Sequence, residues 1–220
     1  MRETPTTTCP FTDRRDGGRR LAELLRDREW VEPVVLGLAR GGVPVAAEVA
    51  EALDAPLGVA VARKIGAPGH PEFGIGAVTA YGPAIYDEQS VRMLGLGREE
   101  LEQACEEQRA EALRRVETYQ RGLEPERVEG RDLIVVDDGL ATGVTATAAL
   151  RALRQESPRR LILAAPVCAA QAVAGLRAEA DAVVCACEPA DFRAVGQWYD
   201  DFAQVTDDEV IDLLSRRWTA

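Results

Sequence analysis

The chain has 220 residues, of which 46% are hydrophobic, so it is long enough to bury a substantial core as a single domain, residues 1–220. Its 37 acidic residues outnumber its 26 basic residues, and the formal net charge of −11 disfavours contact with nucleic acid or anionic membranes. No window approaches the ~20 apolar residues of a membrane span, and the first 18 residues are too polar for a secretory signal. We therefore expect a cytoplasmic protein with neither a nucleic acid nor a membrane as partner.

Short apolar segments alternate with helical patterns along the chain. The expected strands are 34–38, 57–61, 75–78, 132–136, 161–167 and 182–187, and the expected helices are 43–54, 145–155 and 169–179. A further helix is expected to begin after Thr206, which would cap it. Continuously apolar strands that alternate with helices predict an α/β fold, in which a mostly parallel sheet has helices on both faces. In such sheets ligands bind where strands end and loops lead into helices.

One segment interrupts the alternation. From 98 to 121 the apolar residues fall on one face of a long helix, on which Glu111 and Arg115 form a favourable pair one turn apart. We expect a helical insertion over 87–127 that packs on the sheet edge or against a second copy of the chain. The alternative is a mobile lid over the site. We also expect a homo-oligomer, whose size the sequence leaves open.

Five cysteines are present, at positions 9, 105, 168, 185 and 187, without the C-x-x-C spacing of a zinc site or redox motif. Cys185 and Cys187 would share one face of a strand. We expect them to be ordinary thiols of the core.

The segment IVVDDGLATGVTAT (134–147) places Asp137 and Asp138 at the carboxyl end of a buried strand. Adjacent carboxylates repel each other unless solvent, a cation or hydroxyl groups share the charge, and the vicinal hydroxyls of a ribose suit that role. The next residues offer successive backbone N–H groups at a helix start, which suits a phosphate monoester. They are Ala141, Thr142, Gly143, Val144 and Thr145. The sequence therefore predicts a clamp for a ribose 5-phosphate.

VVDDGLATGVT resembles the phosphoribosyl pyrophosphate signature of the type I phosphoribosyltransferase family. The resemblance spans about residues 34–190 and implies that family's Rossmann-like fold with a C-terminal hood, which we place at 188–205. It implies that Asp137 and Asp138 hold the ribose hydroxyls while 141–145 wrap the 5-phosphate. It also implies phosphoribosyl pyrophosphate as a substrate and Mg²⁺ as the cofactor, with the same two acids as the metal site.

A glycine-rich turn fits the resemblance. GLARGGVP (37–44) follows the first strand, where the family's pyrophosphate loop lies. Arg40 is therefore expected to bind pyrophosphate oxygens, while Gly41 and Gly42 let backbone amides approach. Taken alone, this turn is equally compatible with a purely structural role.

The segment ARKIGAPGHPEFGIGAV (62–78) contains two cations and many glycines and prolines. Arg63 and Lys64 close the second strand, and the glycines and prolines at 66–71 predict a flexible loop that presents these cations over the site. Related transferases use a mobile loop here to keep water from an oxocarbenium-like sugar. The sequence leaves open whether His70 or Glu72 in this segment takes part.

The acceptor is expected to bind the hood. Phe192, Trp198 or Tyr199 would stack on a planar acceptor and Asp191 or Asp200 would recognise its polar edge, although packing of these aromatic residues on the sheet is the alternative. Ala141 stands where hypoxanthine-type members commonly have an aspartate. Hypoxanthine and guanine are therefore disfavoured as acceptors.

We interpret the sequence as an Mg²⁺-dependent enzyme that transfers 5-phosphoribosyl to a nitrogen of a small planar acceptor and releases pyrophosphate. The residues expected to be catalytic are Asp137, Asp138, Arg40, Arg63 and Lys64. The alternative function is a regulator that binds phosphoribosyl pyrophosphate or a nucleotide without turnover, since this fold also serves in transcriptional control. An acceptor from a specialised pathway also remains open.

Overall fold

The structure is a computed structural model that describes residues 9–120 and 126–216. The strands are β1 (Val34–Leu38), β2 (Leu57–Ala60), β3 (Ala62–Ala67), β4 (His70–Thr79), β5 (Ile85–Tyr86), β6 (Asp132–Val136), β7 (Arg160–Val167) and β8 (Ala182–Cys187). The helices are α1 (Arg14–Arg26), α2 (Gly42–Ala52), α3 (Glu88–Leu94), α4 (Arg98–Tyr119), α5 (Val144–Arg154), α6 (Ala170–Leu176) and α7 (Asp207–Arg216), with a 3₁₀ turn at Val195–Trp198.

The main sheet has five strands in the order β2-β1-β6-β7-β8, and every neighbouring pair is parallel. Every residue of β1 and β6 is buried, because side chains alternate between two apolar layers. Val35 and Ile134 face a layer built with α1, α2 and α7, whereas Val34 and Leu133 face a layer built with α5 and α6. The predicted α/β fold with helices on both faces of a mostly parallel sheet is confirmed.

A second sheet corrects the prediction of a flexible loop around 66–71. The strands β3, β4 and β5 form a three-stranded antiparallel sheet, so Arg63 and Lys64 lie on a strand and not on a flexible loop. Pro68 and Gly69 make the tight turn between β3 and β4, where Gly69 has a φ of 75° that favours glycine. The proline and glycine therefore mark a hairpin turn, and the other glycines are accommodated within the strands.

The long helix predicted over 98–121 is present as α4, Arg98–Tyr119. It packs on the second sheet around Cys105, Ile65 and Ile75. The capped final helix is also confirmed: Oγ1 of Thr206 accepts the N–H of Glu209 at 3.2 Å, and the Glu209 carboxylate accepts the N–H of Thr206 at 2.8 Å. Within the described residues, no helix is both long and apolar enough to cross a membrane.

The cysteines depart from the expectation. Cys9 pairs with Cys187 and Cys168 pairs with Cys185 as disulfides, with Cα–Cα distances of 6.5 and 6.3 Å. The expectation that Cys185 and Cys187 are unpaired core thiols is therefore wrong. Each partner lies far from them in sequence, so the spacing of cysteines along the chain could not reveal the pairs.

Asp132 anchors the amino end of the central strand β6. Its fully buried carboxylate accepts the N–H of Val31 at 2.8 Å and lies 2.7 and 3.0 Å from nitrogens of Arg159 and Arg160. Burial acts to raise the pKa of this carboxyl, but hydrogen bonds from the two guanidiniums and the amide outweigh it and lower the pKa to about 2.

We expect Asp132→Asn to lower the free energy of unfolding by about 2 kcal/mol at neutral pH, because two cations lose their shared partner. A lowered folded-state pKa contributes stability that is present above the ordinary carboxyl pKa of about 4 and is lost as the pH falls towards about 2. Urea denaturation of both proteins between pH 7 and 2 measures this difference. Glu129→Gln, at an exposed ion pair, is the control. A difference that does not shrink with falling pH would contradict this assignment.

Candidate functional site

The two sequence motifs meet at one edge of the main sheet. Since β1 and β6 are parallel neighbours, the RGG turn after β1 and the acid pair after β6 emerge side by side. A β-carbon on Gly41 would collide with the carboxylate of Asp138, and one on Gly42 would collide with the carbonyl oxygen of Val136. Glycine is required at both positions because the turn lies directly against the end of β6.

The acid pair is enclosed. Oδ1 of Asp137 accepts the backbone N–H of Asp138 at 2.9 Å, and Oδ2 of Asp138 lies 2.9 Å from Nε of Arg14. Burial, followed by the charge of Asp138, raises the pKa of Asp137 well above its usual value. Burial also raises the pKa of Asp138, and the opposing effect of Arg14 limits that rise. Without a ligand, this pair is therefore electrostatically strained.

The residues proposed for the phosphate, 141–145, lie in the loop from the acid pair into α5. Gly143 has a φ of 75° and is the N-cap of that helix. Among the described residues no side chain caps α5, and its first turn carries no acid. The first backbone N–H groups of a helix lack partners within the helix, so this end of α5 is suited to an anion.

The guanidinium groups of Arg40, which belongs to the RGG turn, Arg63 and Arg115 lie near one another. Arg40 is 3.6 Å from Oδ1 of Asp207 on α7, and Arg63 donates from Nε and Nη2 to Oε1 of Gln108 on α4 at 3.2 and 3.0 Å. Burial and the nearby charges of Arg115 and Arg40 lower the pKa of Arg63. This clustering of like charges produces a positive region beside the turn.

Lys64 is separated from this group. It follows Arg63 on β3, and neighbouring residues of a strand point to opposite faces. Its side chain is exposed and lies over Gly74. His70 is exposed at the start of β4, and the side chain of Glu72 lies outside the described part of the structure. Arg63 and Lys64 therefore cannot both face the acid pair.

The hood, 188–205, follows β8 and folds back over the acid pair. Tyr199 is buried: its hydroxyl donates to the carbonyl oxygen of Asp138 at 2.6 Å, and its ring lies between those of Phe11 and Phe202. Phe192 and Trp198 pack against the same aromatic group, whereas Asp191 is exposed. The indole N–H of Trp198 is buried and has no hydrogen-bond partner among the described residues. Of the proposed acceptor residues, Trp198 therefore has a donor to offer.

The sequence interpretation missed two charged residues at this site, Arg14 and Asp207. Arg14 begins α1, a helix that was not predicted although Asp13 is a good N-cap and accepts the N–H of Asp16 at 2.7 Å. The apolar positions Leu21 and Leu25, one turn apart, were a further signal for this helix. No sequence pattern linked either charge to the acids or to Arg40, because each approaches from a distant part of the chain.

Comparison with known proteins places these motifs in a family. The sequence model of the phosphoribosyl transferase domain matches residues 13–202. The chain is 43% identical over 206 residues, 94% of its length, to the Mycobacterium tuberculosis protein named "Putative phosphoribosyl transferase MT0597". It also resembles the crystal structure of TT1426 from Thermus thermophilus, with a TM-score of 0.80 and 44% identity over 94% of our chain and 99% of that chain.

Two further findings bear on the extent of the similarity. The alignment covers 46% of the Mycobacterium tuberculosis protein, so our chain spans less than half of that relative. The Haloferax volcanii protein named "Transcriptional regulator GfcR" is 28% identical over 141 residues, which are 63% of our chain and 46% of the regulator.

We expect Asp137→Asn to stabilise the ligand-free protein at neutral pH by ~1 kcal/mol or more. A raised folded-state pKa contributes stability below the ordinary carboxyl pKa, and this contribution is lost as the pH rises through the folded-state pKa. Asparagine removes that loss and can still accept the Asp138 N–H. Urea denaturation at pH 7 should show the gain, which should shrink near pH 4.

The exposed Asp200→Asn is the matched control for this measurement. A less stable Asp137→Asn protein at pH 7 would show that the ionised carboxylate is not strained in the folded state.

Proposed function

The chain belongs to the phosphoribosyl transferase family, and we propose that it transfers 5-phosphoribosyl from phosphoribosyl pyrophosphate to a nitrogen of a small planar acceptor. The observation that carries this proposal is the contact between Gly41 and Asp138. It joins an acid pair for the ribose to a glycine turn for the pyrophosphate, and both lie beside the open start of α5. One substrate with a sugar, a 5-phosphate and a diphosphate matches all three features.

Each group acts on a different part of the substrate. Asp137 and Asp138 accept hydrogen bonds from the ribose hydroxyls and stabilise positive charge that develops on the sugar. The N–H groups of 141–145 hold the 5-phosphate. Arg40, with Gly41 and Gly42, binds the pyrophosphate by charge-assisted hydrogen bonds.

The positive region around Arg40 and Arg63 favours departure of the leaving group. The bond between the anomeric carbon and the pyrophosphate oxygen breaks, and pyrophosphate takes the electron pair. The acceptor nitrogen donates its own pair to the anomeric carbon and then loses a proton. Arg40 exchanges its contact with Asp207 for the pyrophosphate, which gains charge as it leaves.

Mg²⁺ is proposed to arrive with the diphosphate. The described residues contain no group of three or more His, Cys, Asp or Glu that could hold a metal by itself. Mg²⁺ retains several waters and is commonly bound by one or two carboxylates together with substrate phosphates, so Asp137 and Asp138 fit it. When bound, the ion neutralises charge on the pyrophosphate.

The acceptor is proposed to bind at the hood. Because Tyr199 is enclosed by Phe11 and Phe202, we assign it a structural role in this conformation and propose Phe192 and Trp198 as the acceptor contacts. The unpartnered indole N–H of Trp198 favours an acceptor that carries a hydrogen-bond-accepting atom. Asp191 is exposed, and we propose that it contacts the solvent side of such a molecule.

A second candidate function is a regulator that binds phosphoribosyl pyrophosphate or a nucleotide without turnover. The similarity to the Haloferax volcanii regulator favours it. The formal net charge of −11 does not favour direct contact of this chain with nucleic acid. A pyrophosphate-release assay over purines, pyrimidines and other nitrogen heterocycles separates the two functions, because only the transferase releases pyrophosphate.

We expect the double variant Asp137→Asn, Asp138→Asn to lose turnover by at least ~100-fold, because two charges that stabilise the transition state are removed. Calorimetric titration with phosphoribosyl pyrophosphate and Mg²⁺ should show weakened binding in parallel. Asp54→Asn, at an exposed position that has no assigned role in the site, is the control. A double variant that retains its activity would refute the assignment of the acid pair.

We expect Arg40→Ala to weaken binding of pyrophosphate about tenfold or more while leaving ribose 5-phosphate nearly unchanged, because the arginine contacts only the leaving group. Titration of the same protein with each ligand gives both affinities. Arg92→Ala, at an exposed ion pair on α3, is the control. An equal loss for the two ligands would place Arg40 elsewhere in the site.

A further inference from the structure

Arg14 makes three contacts that converge on the acid pair and the hood. Its Nε lies 2.9 Å from Oδ2 of Asp138, and its Nη1 donates to the carbonyl oxygen of Ala203 at 2.7 Å. Its guanidinium carbon lies 3.8 Å from the ring centroid of Phe202. The side chains of Arg14 and Asp138 are only 12% and 15% exposed, so water screens this ion pair weakly.

Asp138 is confined from two sides. The Gly41 backbone lies against its carboxylate on one side, and Arg14 holds the same oxygen, Oδ2, on the other. A carboxylate at the end of a strand otherwise rotates among several orientations, and this freedom would be lost when a ligand binds. Holding it in advance lowers that entropic cost.

The position of Arg14 is itself fixed by the rest of the molecule. The preceding segment pairs with the hood through backbone hydrogen bonds: Phe11 donates to Trp198 at 2.7 Å and accepts from Asp200 at 2.9 Å. Phe11 is fully buried against Tyr199. The segment before α1 and the hood therefore form one unit, and Arg14 connects that unit to Asp138.

We propose that Arg14 is a positioning residue, which orients Asp138 to receive the ribose hydroxyls and joins the hood to the sugar site. This inference rests on the proposed function. It assigns to the segment before α1 a role in ribose recognition, and it makes the effect of Arg14 specific for the sugar and not for the pyrophosphate.

The test compares three ligands on four proteins. Phosphoribosyl pyrophosphate, ribose 5-phosphate and inorganic pyrophosphate are titrated by calorimetry, in the absence of Mg²⁺, into the wild type, Arg14→Ala, Arg14→Lys and Arg15→Ala. Arg15 is the matched control, because it neighbours Arg14 on α1 but its Nη1 lies 3.6 Å from Oε1 of Glu48 and pairs with neither Asp137 nor Asp138 in the described structure. Thermal unfolding of each variant shows whether the fold is retained.

For Arg14→Ala we expect about a tenfold loss for both sugar ligands and unchanged pyrophosphate affinity. Arg14→Lys should recover part of the loss, because lysine retains the charge but cannot contact Asp138 and Ala203 with one planar group. A structural role would instead weaken all three ligands together with the melting temperature, and a direct phosphate contact would weaken pyrophosphate. Either outcome overturns the inference.

A double-mutant cycle keeps the inference falsifiable if Arg14→Ala is poorly stable. In the background of Asp138→Asn, the loss of ribose 5-phosphate affinity caused by Arg14→Ala should largely disappear, because Arg14 acts through that carboxylate. Additive losses would contradict the inference. If the wild type binds none of the three ligands, the proposed function itself fails. If the wild type binds the sugar ligands and Arg14→Ala binds them equally well, only the inference about Arg14 fails.

Discussion

The candidate site depends on the close approach of a glycine turn to the end of the central strand. β1 and β6 are adjacent and parallel, so the segments that follow them pack directly against each other at the carboxyl ends of the two strands. Gly41 and Gly42 fit there because a β-carbon at either position would collide with Asp138 or with the backbone of β6. The acids, the turn and the start of α5 are brought together by this single steric requirement.

The two carboxylates at the end of β6 carry an electrostatic cost. Two adjacent carboxylates lie in a largely enclosed region, where burial and mutual repulsion disfavour their charged forms. Arg14 offsets part of this cost directly at Asp138, while Asp137 is stabilised by the neighbouring backbone N–H and more weakly by the charge of Arg14. A site that is strained without its ligand is suited to bind groups that bring hydroxyls or a cation. The strain at the acids and the proposed affinity for such a ligand thus have the same origin.

The hood, the segment before α1 and the second sheet surround this centre. Aromatic packing of Phe11, Tyr199 and Phe202 fixes the hood over the acids, which leaves little of Tyr199 available to a ligand. On the other side, α4 and β3 hold Arg63 beside Arg40. The two sides of the site thus carry different chemistry: one is aromatic, which suits the proposed acceptor, and the other is cationic, which suits the proposed leaving group.

Much of the main sheet, α2, the long helix α4, and the positions of the acid pair and the glycine turn at strand ends could be predicted from the sequence. Continuous apolar strands, helical periodicity and the acid pair before a T-G-x-T turn are local signals. The hairpin of β3 and β4 was mistaken for a loop because its glycines are tolerated only through cross-strand packing, such as Lys64 over Gly74. The disulfide pairs were missed because their members meet only after folding.

The sequence by itself determined the acid pair, the glycine turn and the start of α5 at the candidate site, since strand ends, caps and glycine turns are encoded within a few residues. Only the tertiary structure decided which charges neighbour them. Arg14 reaches Asp138 across 124 positions of the chain, and Asp207 reaches Arg40 from the final helix. Such pairs arise because the packing of α1 and α7 on the sheet sets the distance between the charges, and no short stretch of sequence records that distance.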